Sequence, residues 1–308
     1  MSGKKNNRKG IEVNRKLAAY FLSLQKGESI KSIRNLSHTL QASLGLISQS
    51  IAEIEENGAV AIERRGQLGS FIKEISIGKL WQIAVGEPLV IAHTLPSNRR
   101  YEGLAAAIKG AFHRVGIETY FIFIRGSRTR IKALRDHRCH IAITSLFAAD
   151  GLCKPTESVV LSLPPGSFVG AHQLFIRANA PSAGHTISAA VDPDSYDQMR
   201  LSEIEFQGQK VEFKKITFMN ILHYLSTNQV DMAIWTEDDM QSHLNSNIKK
   251  QSLSPHTQEA AGTADTQAAL ITRSGDAVVA AVVNNVLIPS QLMAVQQAVI
   301  DGMVIPEY

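Results

Sequence analysis

The chain has 308 residues, 44% of them hydrophobic and 19% charged, which excludes a disordered protein and leaves room for two ordinary domains. Its net charge of +4 is unevenly distributed: residues 1–80 contain thirteen Lys and Arg against seven Asp and Glu, whereas the remaining residues have a net charge of −2. A basic excess confined to the first quarter is typical of a segment that binds a polyanion. A solvated basic face would give the same count.

The cysteines and the apolar segments bear on the compartment. Two thiols, Cys139 and Cys153, indicate core residues and not a disulfide framework. Residues 1–10 are basic and polar and lack the apolar run of a secretory signal. The apolar stretch at residues 277–283 is too short to cross a bilayer. We therefore expect a cytoplasmic protein without membrane contact.

The first quarter of the chain predicts three helices followed by a β-hairpin. Apolar residues at helical spacing predict helices at residues 13–24, 32–40 and 43–57, with serine caps at Ser32 and Ser43. Two short strands follow at residues 59–64 and 70–75, joined by a tight turn. This order is typical of a winged helix-turn-helix. We predict that domain at residues 11–78, after a basic flexible tail at 1–10 and before a second domain at 79–308.

Residues 30–72 resemble the DNA-binding domain of GntR-type regulators. The matching residues are Leu36, Leu40, Ser43, Ile51, Ile54, Glu55 and Gly58, and the wing Glu-Arg-Arg-Gly-x-x-Gly-Ser-Phe at 63–71. The resemblance implies that Arg34 lies near the DNA backbone. Leu44 and Ser48 stand where the family has arginines, so the third helix is poor in charge.

The side chains expected at DNA follow from this arrangement. The candidates are Ser43, Gly45, Ser48 and Gln49 in the major groove, and Arg64 and Arg65 at phosphates or in the minor groove. Gln49 is the one whose amide suits an adenine edge. The alternative is a winged helix used for protein contact.

The remainder of the chain alternates strands and helices in two series. The first series has strands at residues 88–93, 118–124 and 140–144, and the second at 186–191, 211–216 and 232–235. Helices lie between the strands, segments near 174–178 and 270–272 cross between the series, and long helices occupy 277–302. The pattern predicts α/β architecture: two lobes with parallel sheets, a periplasmic-binding-protein-like (type 2) fold.

Ligands of such sheets lie beyond the carboxyl ends of the strands, at helix N-termini. The candidates in the first lobe are Ser97, Asn98, Arg99, Arg100, Tyr101, Gly126, Ser127, Arg128, Thr144 and Ser145. Those in the second lobe are Asp192, Ser195, Trp235 and Glu237. Hydroxyl groups beside arginines favour a small anionic metabolite. Helix capping is the alternative for Ser97 and Ser127.

A second resemblance covers nearly the whole chain. Residues 101–105, 170–174, 191–198, 230–235 and 306–308 resemble the YhfZ type of regulator. This resemblance implies a GntR-related helix-turn-helix joined to a binding-protein-like domain.

These observations favour a DNA-binding transcriptional regulator that senses a small molecule. We expect a homodimer on double-stranded DNA, with the apolar segment 277–292 as the dimer surface or, equally, as a core helix. We expect no cofactor, metal or catalytic residues, because the chain lacks a Walker-type loop and a Gly-x-Ser-x-Gly motif. The cluster at residues 136–140 has no second ligand pair at a suitable spacing. The alternative is an enzyme of the same fold with an N-terminal interaction module, since this fold hosts both.

Overall fold

The computed structural model describes residues 2–180, 186–240 and 247–308. The chain divides into two units. The first unit contains Met1–Leu89, Gly110–Tyr120 and Gly275–Leu287, and the second contains Val90–Lys109, Phe121–Ser274 and Ile288–Tyr308.

The first unit begins with a winged helix-turn-helix. Its helices are α1 (Ser2–Leu22), α2 (Ile33–Leu40), α3 (Leu44–Glu56) and α4 (Ile77–Ala84), and its strands are β1 (Ser29–Ile30), β2 (Val60–Arg64) and β3 (Ser70–Ile75). Ser32 Oγ accepts a hydrogen bond from Asn35 N, and Ser43 Oγ accepts one from Leu46 N, so both predicted caps are confirmed. A short 3-10 turn, Gly66–Leu68, forms the wing tip between β2 and β3.

The structure differs from the sequence prediction at two places in this unit. Helix α1 begins at Ser2, so it includes residues predicted as a flexible tail. Strand β1 was not predicted, because two residues carry no periodicity, and it pairs antiparallel with β3.

The core of the first unit is built from the apolar faces of these helices. Leu17 and Phe21 of α1, Ile47 and Ile54 of α3, and Leu80 of α4 are buried. Helix α12 (Ala277–Val286) belongs to the same unit and packs against α1. Its apolar face is buried through Val279, Val282, Val283 and Val286. Residues 277–286 of the segment 277–292 thus form a helix with one face in the core, which agrees with the second alternative, while the dimer surface stays a prediction.

The first of the two lobes contains a five-stranded sheet. Its helices are α5 (Arg99–Arg114), α6 (Ser127–Arg135) and α7 (Leu146–Leu152), and its strands are β4 (Leu89–His93), β5 (Thr119–Phe123), β6 (Ile141–Ser145), β7 (Glu157–Ser162) and β13 (Ala268–Arg273). The strand order is β5-β4-β6-β13-β7. Strands β4 and β6 are parallel, whereas β13 is antiparallel to both β6 and β7.

The second lobe repeats this plan. Its strands are β8 (His172–Arg177), β9 (Ile187–Val191), β10 (Val211–Lys215), β11 (Met232–Thr236) and β12 (Ile248–Ser252), and its helices are α8 (Tyr196–Glu205), α9 (Ile221–Ser226), α10 (Glu237–Met240) and α11 (Pro255–Ala261). The order is β10-β9-β11-β8-β12, with β9 parallel to β10 and β11 and with β8 antiparallel to β11 and β12. The two crossing segments are therefore strands β8 and β13, and the two-lobed α/β fold is confirmed.

The chain closes with α13 (Pro289–Ile300). In the described ranges no single helix is long and apolar enough to span a membrane. Helices α12 and α13 meet the requirement for length and composition only when they are taken together.

Candidate ligand-binding cavity and helix-turn-helix surface

A cavity lies between the two lobes, within the second unit, beside the ends of β4, β5, β9 and β11. The cavity has a volume of about 50 Å³. Seven of its lining residues were predicted: Ser97, Tyr101, Gly126, Ser127, Asp192, Ser195 and Trp235. Eight others were not: Thr94, Arg130, Phe168, Val169, His172, Asp197, Phe218 and Thr236.

Three helices begin at this cavity: α5, α6 and α8. Ser195 caps α8, and the hydroxyl of Ser127 at the start of α6 accepts a hydrogen bond from Tyr196 N of the other lobe at 3.1 Å. Gly126 has φ +78°, and a Cβ at this position would lie 2.5 Å from Cβ of Asp194. Only glycine allows both this backbone conformation and this approach of the lobes. The positive ends of the helix dipoles therefore face the cavity.

Arg130 is the buried cation of the cavity and is 4% exposed. Its Nε donates to Ile143 O at 2.7 Å and its Nη1 donates to Ile124 O at 2.9 Å. Among the described residues, Nη2 has no hydrogen bond and the guanidinium has no ion-pair partner. Burial lowers the pKa of Arg130 to about 10, against the opposing influence of Tyr101 and Asp197, so the group stays charged at neutral pH.

Asp197 is the buried carboxylate on the opposite side of the cavity. Both of its oxygens lie 2.8 Å from Ser145 Oγ, a hydroxyl with one proton to donate. Burial raises the pKa of Asp197, although His172 and Ser145 act in the opposite direction.

His172 lines the cavity and is paired with Asp265, whose Oδ2 lies 2.8 Å from Nδ1 of the ring. Burial alone would lower the pKa of this imidazole. The hydrogen bond and the charge of Asp265, with the charges of Asp197 and Asp238, outweigh burial, so the pKa is raised.

Asp192 accepts three hydrogen bonds from protein groups, which occupy most of its roughly four acceptor sites. Its Oδ2 accepts from Arg125 Nη1 at 2.6 Å and from Phe218 N at 3.0 Å, and its Oδ1 accepts from Asp194 N at 3.0 Å. Asp192 lines the cavity, and its role as an acceptor for ligand hydroxyl or amino groups stays a prediction. It holds Arg125 and the chain before α9.

The aromatic wall of the cavity is a stacked pair. The rings of Phe218 and Trp235 have centroids 5.1 Å apart and planes inclined by 15°. Trp235 therefore presents one ring face to Phe218 while its side chain borders the cavity.

The structure places seven predicted ligand-binding residues outside the cavity lining: Asn98, Arg99, Arg100, Arg128, Thr144, Ser145 and Glu237. The three arginines expected to provide positive charge are engaged elsewhere, which corrects that expectation. Arg99 is exposed and pairs with Glu102 at 3.2 Å, while Arg128 is exposed over the ring of Tyr196. Arg100 donates to Asp238 at 3.1 and 3.2 Å and to Gly166 O at 2.5 Å.

The other four have local or supporting roles. Asn98 Oδ1 accepts from Tyr101 N at the start of α5, and Glu237 pairs with Lys250. Thr144 is buried and donates to Ser145 O, while Ser145 caps α7 and donates to Asp197. Ser145 thus acts on the cavity through Asp197.

Arg130 and Asp197 were missed by sequence reasoning, although a signal for Arg130 exists. It lies three residues after Ser127 in α6, and residues three apart share a helix face. The helix face that places Ser127 at the cavity therefore also directs Arg130 toward it.

The helix-turn-helix surface exposes the residues proposed for DNA. Ser43, Gly45, Ser48 and Gln49 at the start of α3 are exposed, as are Arg34 in α2 and both wing arginines. Arg64 pairs with Glu55 of α3. Arg65 pairs with Glu63 at 2.8 Å and lies 4.6 Å from the centre of the Phe71 ring. Gln49 Nε2 donates to Glu53 Oε1 at 2.9 Å. Carboxylates thus accompany the wing arginines and Gln49.

The fold and the cavity define a protein with an N-terminal helix-turn-helix domain and a two-lobed, binding-protein-like C-terminal domain. A family model for a helix-turn-helix domain matches residues 25–72, and the model of the YhfZ C-terminal domain matches residues 77–308. The chain therefore belongs to the YhfZ family.

Similar proteins agree with this assignment. The YhfZ protein of Escherichia coli (strain K12) is 29% identical over 301 residues, which cover 95% of each chain. The crystal structure of YhfZ from Shigella flexneri has a TM-score of 0.59 at 28% identity, over 72% of this chain and 93% of that one. The periplasmic VFT2 domain of Bordetella pertussis BvgS has a TM-score of 0.51 at 14% identity, over 71% of this chain and 96% of that one. This last likeness shows the fold alone.

Proposed function

We propose that the chain is a cytoplasmic, DNA-binding transcriptional regulator with a GntR-type winged helix, whose two-lobed domain senses a small metabolite bearing an anionic group. The observation that carries the sensing proposal is the buried guanidinium of Arg130, which borders the cavity without a carboxylate partner in the described part of the chain. A buried charge is costly unless it is paired. An anionic group of a ligand would provide the pairing.

The helix N-termini support the same ligand charge. Helices α5, α6 and α8 all begin at the cavity, and an anion near a helix N-terminus is stabilised by the unpaired N–H groups and the dipole. We therefore still propose an anionic group on the ligand. The arginine proposed to bind it is now Arg130, in place of Arg99, Arg100 and Arg128.

The DNA-binding half of the proposal is supported by the exposed start of α3 and by the basic balance of residues 1–80. The start of α3 contains no Lys or Arg, so one copy would make few strong contacts. We propose a homodimer on two half-sites, because joining two weak sites raises affinity through effective concentration.

The test is a DNA-binding titration with DNA from upstream of the chain's own gene, at low salt, with and without an extract of small cellular metabolites. We expect binding that weakens steeply with salt and that changes when the extract is added. Sedimentation of the protein at micromolar concentration, with and without DNA, should detect a dimer. Absence of DNA binding under both conditions contradicts the regulator, and a monomer under both contradicts the homodimer.

Replacement of Arg130 tests the anion site directly. Arg130→Gln replaces the guanidinium by a shorter, uncharged polar side chain. The affinity for small carboxylates, chosen because they raise the melting temperature of the wild type, should therefore fall roughly 10- to 100-fold. Arg128→Gln is the matched control, since Arg128 is in the same helix but exposed over Tyr196. Equal losses in the two variants, measured by titration calorimetry, would count against Arg130 as the anion partner.

A further inference from the structure

We propose that the ligand of the cavity is a small zwitterion, an α-amino acid with a short side chain, whose carboxylate binds Arg130 and whose ammonium group binds Asp197. This inference rests on the proposed sensing function and narrows its ligand class.

Two buried groups of opposite charge face the cavity, and each lacks some hydrogen-bond partners among the described residues. The carboxylate of Asp197 is 7% exposed and receives one proton from Ser145, although two oxygens lie within hydrogen-bond distance of that hydroxyl. It therefore lacks donors. Arg130 uses Nε and Nη1 on backbone carbonyls and has Nη2 left, so it lacks an acceptor. Neither group forms an ion pair with a described residue.

The other charges at the cavity are already paired. Asp192 has Arg125 at 2.6 Å, and His172 has Asp265 at 2.8 Å. Among the residues that the structure describes, one cation and one carboxylate at this cavity therefore remain for a ligand, and Arg130 and Asp197 both line it. A simple anion would pair with Arg130 but be repelled by Asp197. A simple cation would pair with Asp197 but be repelled by Arg130. A molecule with both charges satisfies both groups.

The dimensions and the apolar lining indicate the rest of the molecule. About 50 Å³ corresponds to roughly three to five water-sized groups at 10–15 Å³ each, so the ligand has few heavy atoms. Phe168, Val169 and the stacked rings of Phe218 and Trp235 provide an apolar wall for a short side chain. Glycine, with five heavy atoms, is of this size, and alanine and serine are the next larger amino acids, with six and seven.

The test is calorimetric titration of the full chain with nine compounds in matched sets. Glycine, L-alanine and L-serine carry both charges; acetate, propionate and 3-hydroxypropionate lack the ammonium group; methylamine, ethylamine and ethanolamine lack the carboxylate. We expect at least one amino acid to bind and both of its counterparts to bind roughly 10- to 100-fold more weakly.

The outcomes separate this inference from the proposed function. An acid that binds as tightly as its amino acid overturns the zwitterion and leaves anion sensing intact. An amine that binds best overturns both. A complete absence of binding by all nine compounds overturns the zwitterion, and anion sensing is then decided by the separate comparison of Arg130→Gln with Arg128→Gln. DNA binding is measured separately and is unaffected by these results.

A substitution at Asp197 adds an independent check. Asp197→Asn should reduce the affinity for the amino acid to that of its deaminated counterpart, while the counterpart binds no more weakly than before. Asp150→Asn, at an exposed carboxylate that does not line the cavity, should change neither. An unchanged ratio of affinities in Asp197→Asn overturns the inference, provided that the variant melts as cooperatively as the wild type.

Discussion

The two tryptophans have different surroundings. Trp235 borders the cavity and is stacked on Phe218, whereas Trp81 is buried in α4 with Nε1 donating to Glu87 O at 2.8 Å. Indole emission depends on the polarity of the surroundings and on nearby quenching groups, so the fluorescence of Trp235 should report changes in the cavity.

We predict that ligand binding changes the fluorescence of Trp235. Trp235→Phe should remove most of the change, because the remaining indole of Trp81 belongs to the other unit. Trp81→Phe should retain it. A change that survives in Trp235→Phe and disappears in Trp81→Phe would mean that the signal arises outside the cavity.

At the residue scale, local chemistry was predictable and long-range pairing was not. Five of the seven predicted lining residues were found because glycine, serine and aspartate after a strand mark a helix start in any context. The other two, Tyr101 and Trp235, are adjacent in sequence to such loops. Two of the three arginines were misassigned because the groups they contact are distant in sequence: Asp238 lies 138 residues after Arg100, and Arg128 lies over the ring of Tyr196 in the other lobe. Arg99 instead pairs locally with Glu102. Nothing near Arg100 in the chain indicates that pairing.

At the element scale, one ion pair joins α6 to β7. Arg135 donates from Nε and Nη2 to the carboxylate of Glu157 at 2.8 and 2.9 Å, and Lys154 N and Thr156 Oγ1 also donate to it. These hydrogen bonds, led by those of Arg135, outweigh burial and lower the pKa of Glu157 to about 2. The ionised form is therefore stabilised in the folded state.

The expected consequence is stability that depends on pH. A carboxyl group with a folded pKa near 2 and an unfolded value near 4.5 stabilises the fold by about 3 kcal/mol above pH 4.5, and this contribution is lost as the pH falls toward 2. Glu157→Gln should thus lower the free energy of unfolding near pH 7 by about that amount and have a diminishing effect below pH 4.5.

The control is Glu203→Gln, which breaks the exposed pair of Glu203 with Arg200. It should change the free energy of unfolding by less than about 1 kcal/mol. Denaturant titrations at several pH values measure both variants. A Glu157→Gln effect of the same size at pH 2.5 and pH 7 would contradict the assignment.

The wing is the second element with a testable electrostatic arrangement. Arg64 and Arg65 pair with Glu55 and Glu63, and these exposed pairs compete with phosphates for the same guanidinium groups. We predict that Arg64→Ala with Arg65→Ala weakens binding to all DNA sequences and flattens the salt dependence.

The glutamates should have the opposite effect. Glu55→Gln with Glu63→Gln releases both arginines, so non-specific DNA affinity should rise several-fold and its salt dependence should steepen. Glu74→Gln controls for a general change in charge, because Glu74 is an exposed wing residue that belongs to neither of the two ion pairs. If DNA affinity changes by the same factor per charge removed in the double variant and in the control, the ion pairs have no specific role.

The elements themselves were largely predictable where they are periodic or capped. The helices α2 and α3 and the strand β3 follow the predicted bounds closely. Strands β7 and β12 were missed because they lie at sheet edges, are short and partly polar, and are strands only through pairing with β13 and β8. Such pairing is a property of the folded chain and not of the segment.

At the scale of the whole two-lobed domain, the lobes contact each other directly. Arg125 pairs with Asp192 and Asp194 at 2.6 Å, Ser145 donates to Asp197, and Asp194 O accepts from Arg128 N at 3.3 Å. A ligand that contacts both lobes stabilises this arrangement by its differential affinity for it. This arrangement requires the backbone of Gly126 in one lobe to lie close to Asp194 in the other.

We predict that Gly126→Ala weakens ligand binding by at least tenfold, because its methyl group would collide with Asp194 in the closed arrangement. Gly208→Ala is the matched control: Gly208 has φ +79°, nearly the same as Gly126, but no atom lies within 4 Å of its Cβ position. Both variants should lose a similar amount of stability from the positive φ. Equal ligand affinities in the two would contradict the steric argument.

The glycine at position 126 also has a genetic consequence. Every substitution there adds at least one carbon atom between the lobes, far in sequence from the helix-turn-helix at residues 25–72. On the proposed function, alleles at this codon should therefore produce proteins that still occupy a DNA site but no longer respond to a metabolite. In a selection for cells that fail to respond, such alleles would recur at this one codon and would be dominant over the wild type if the protein forms mixed dimers.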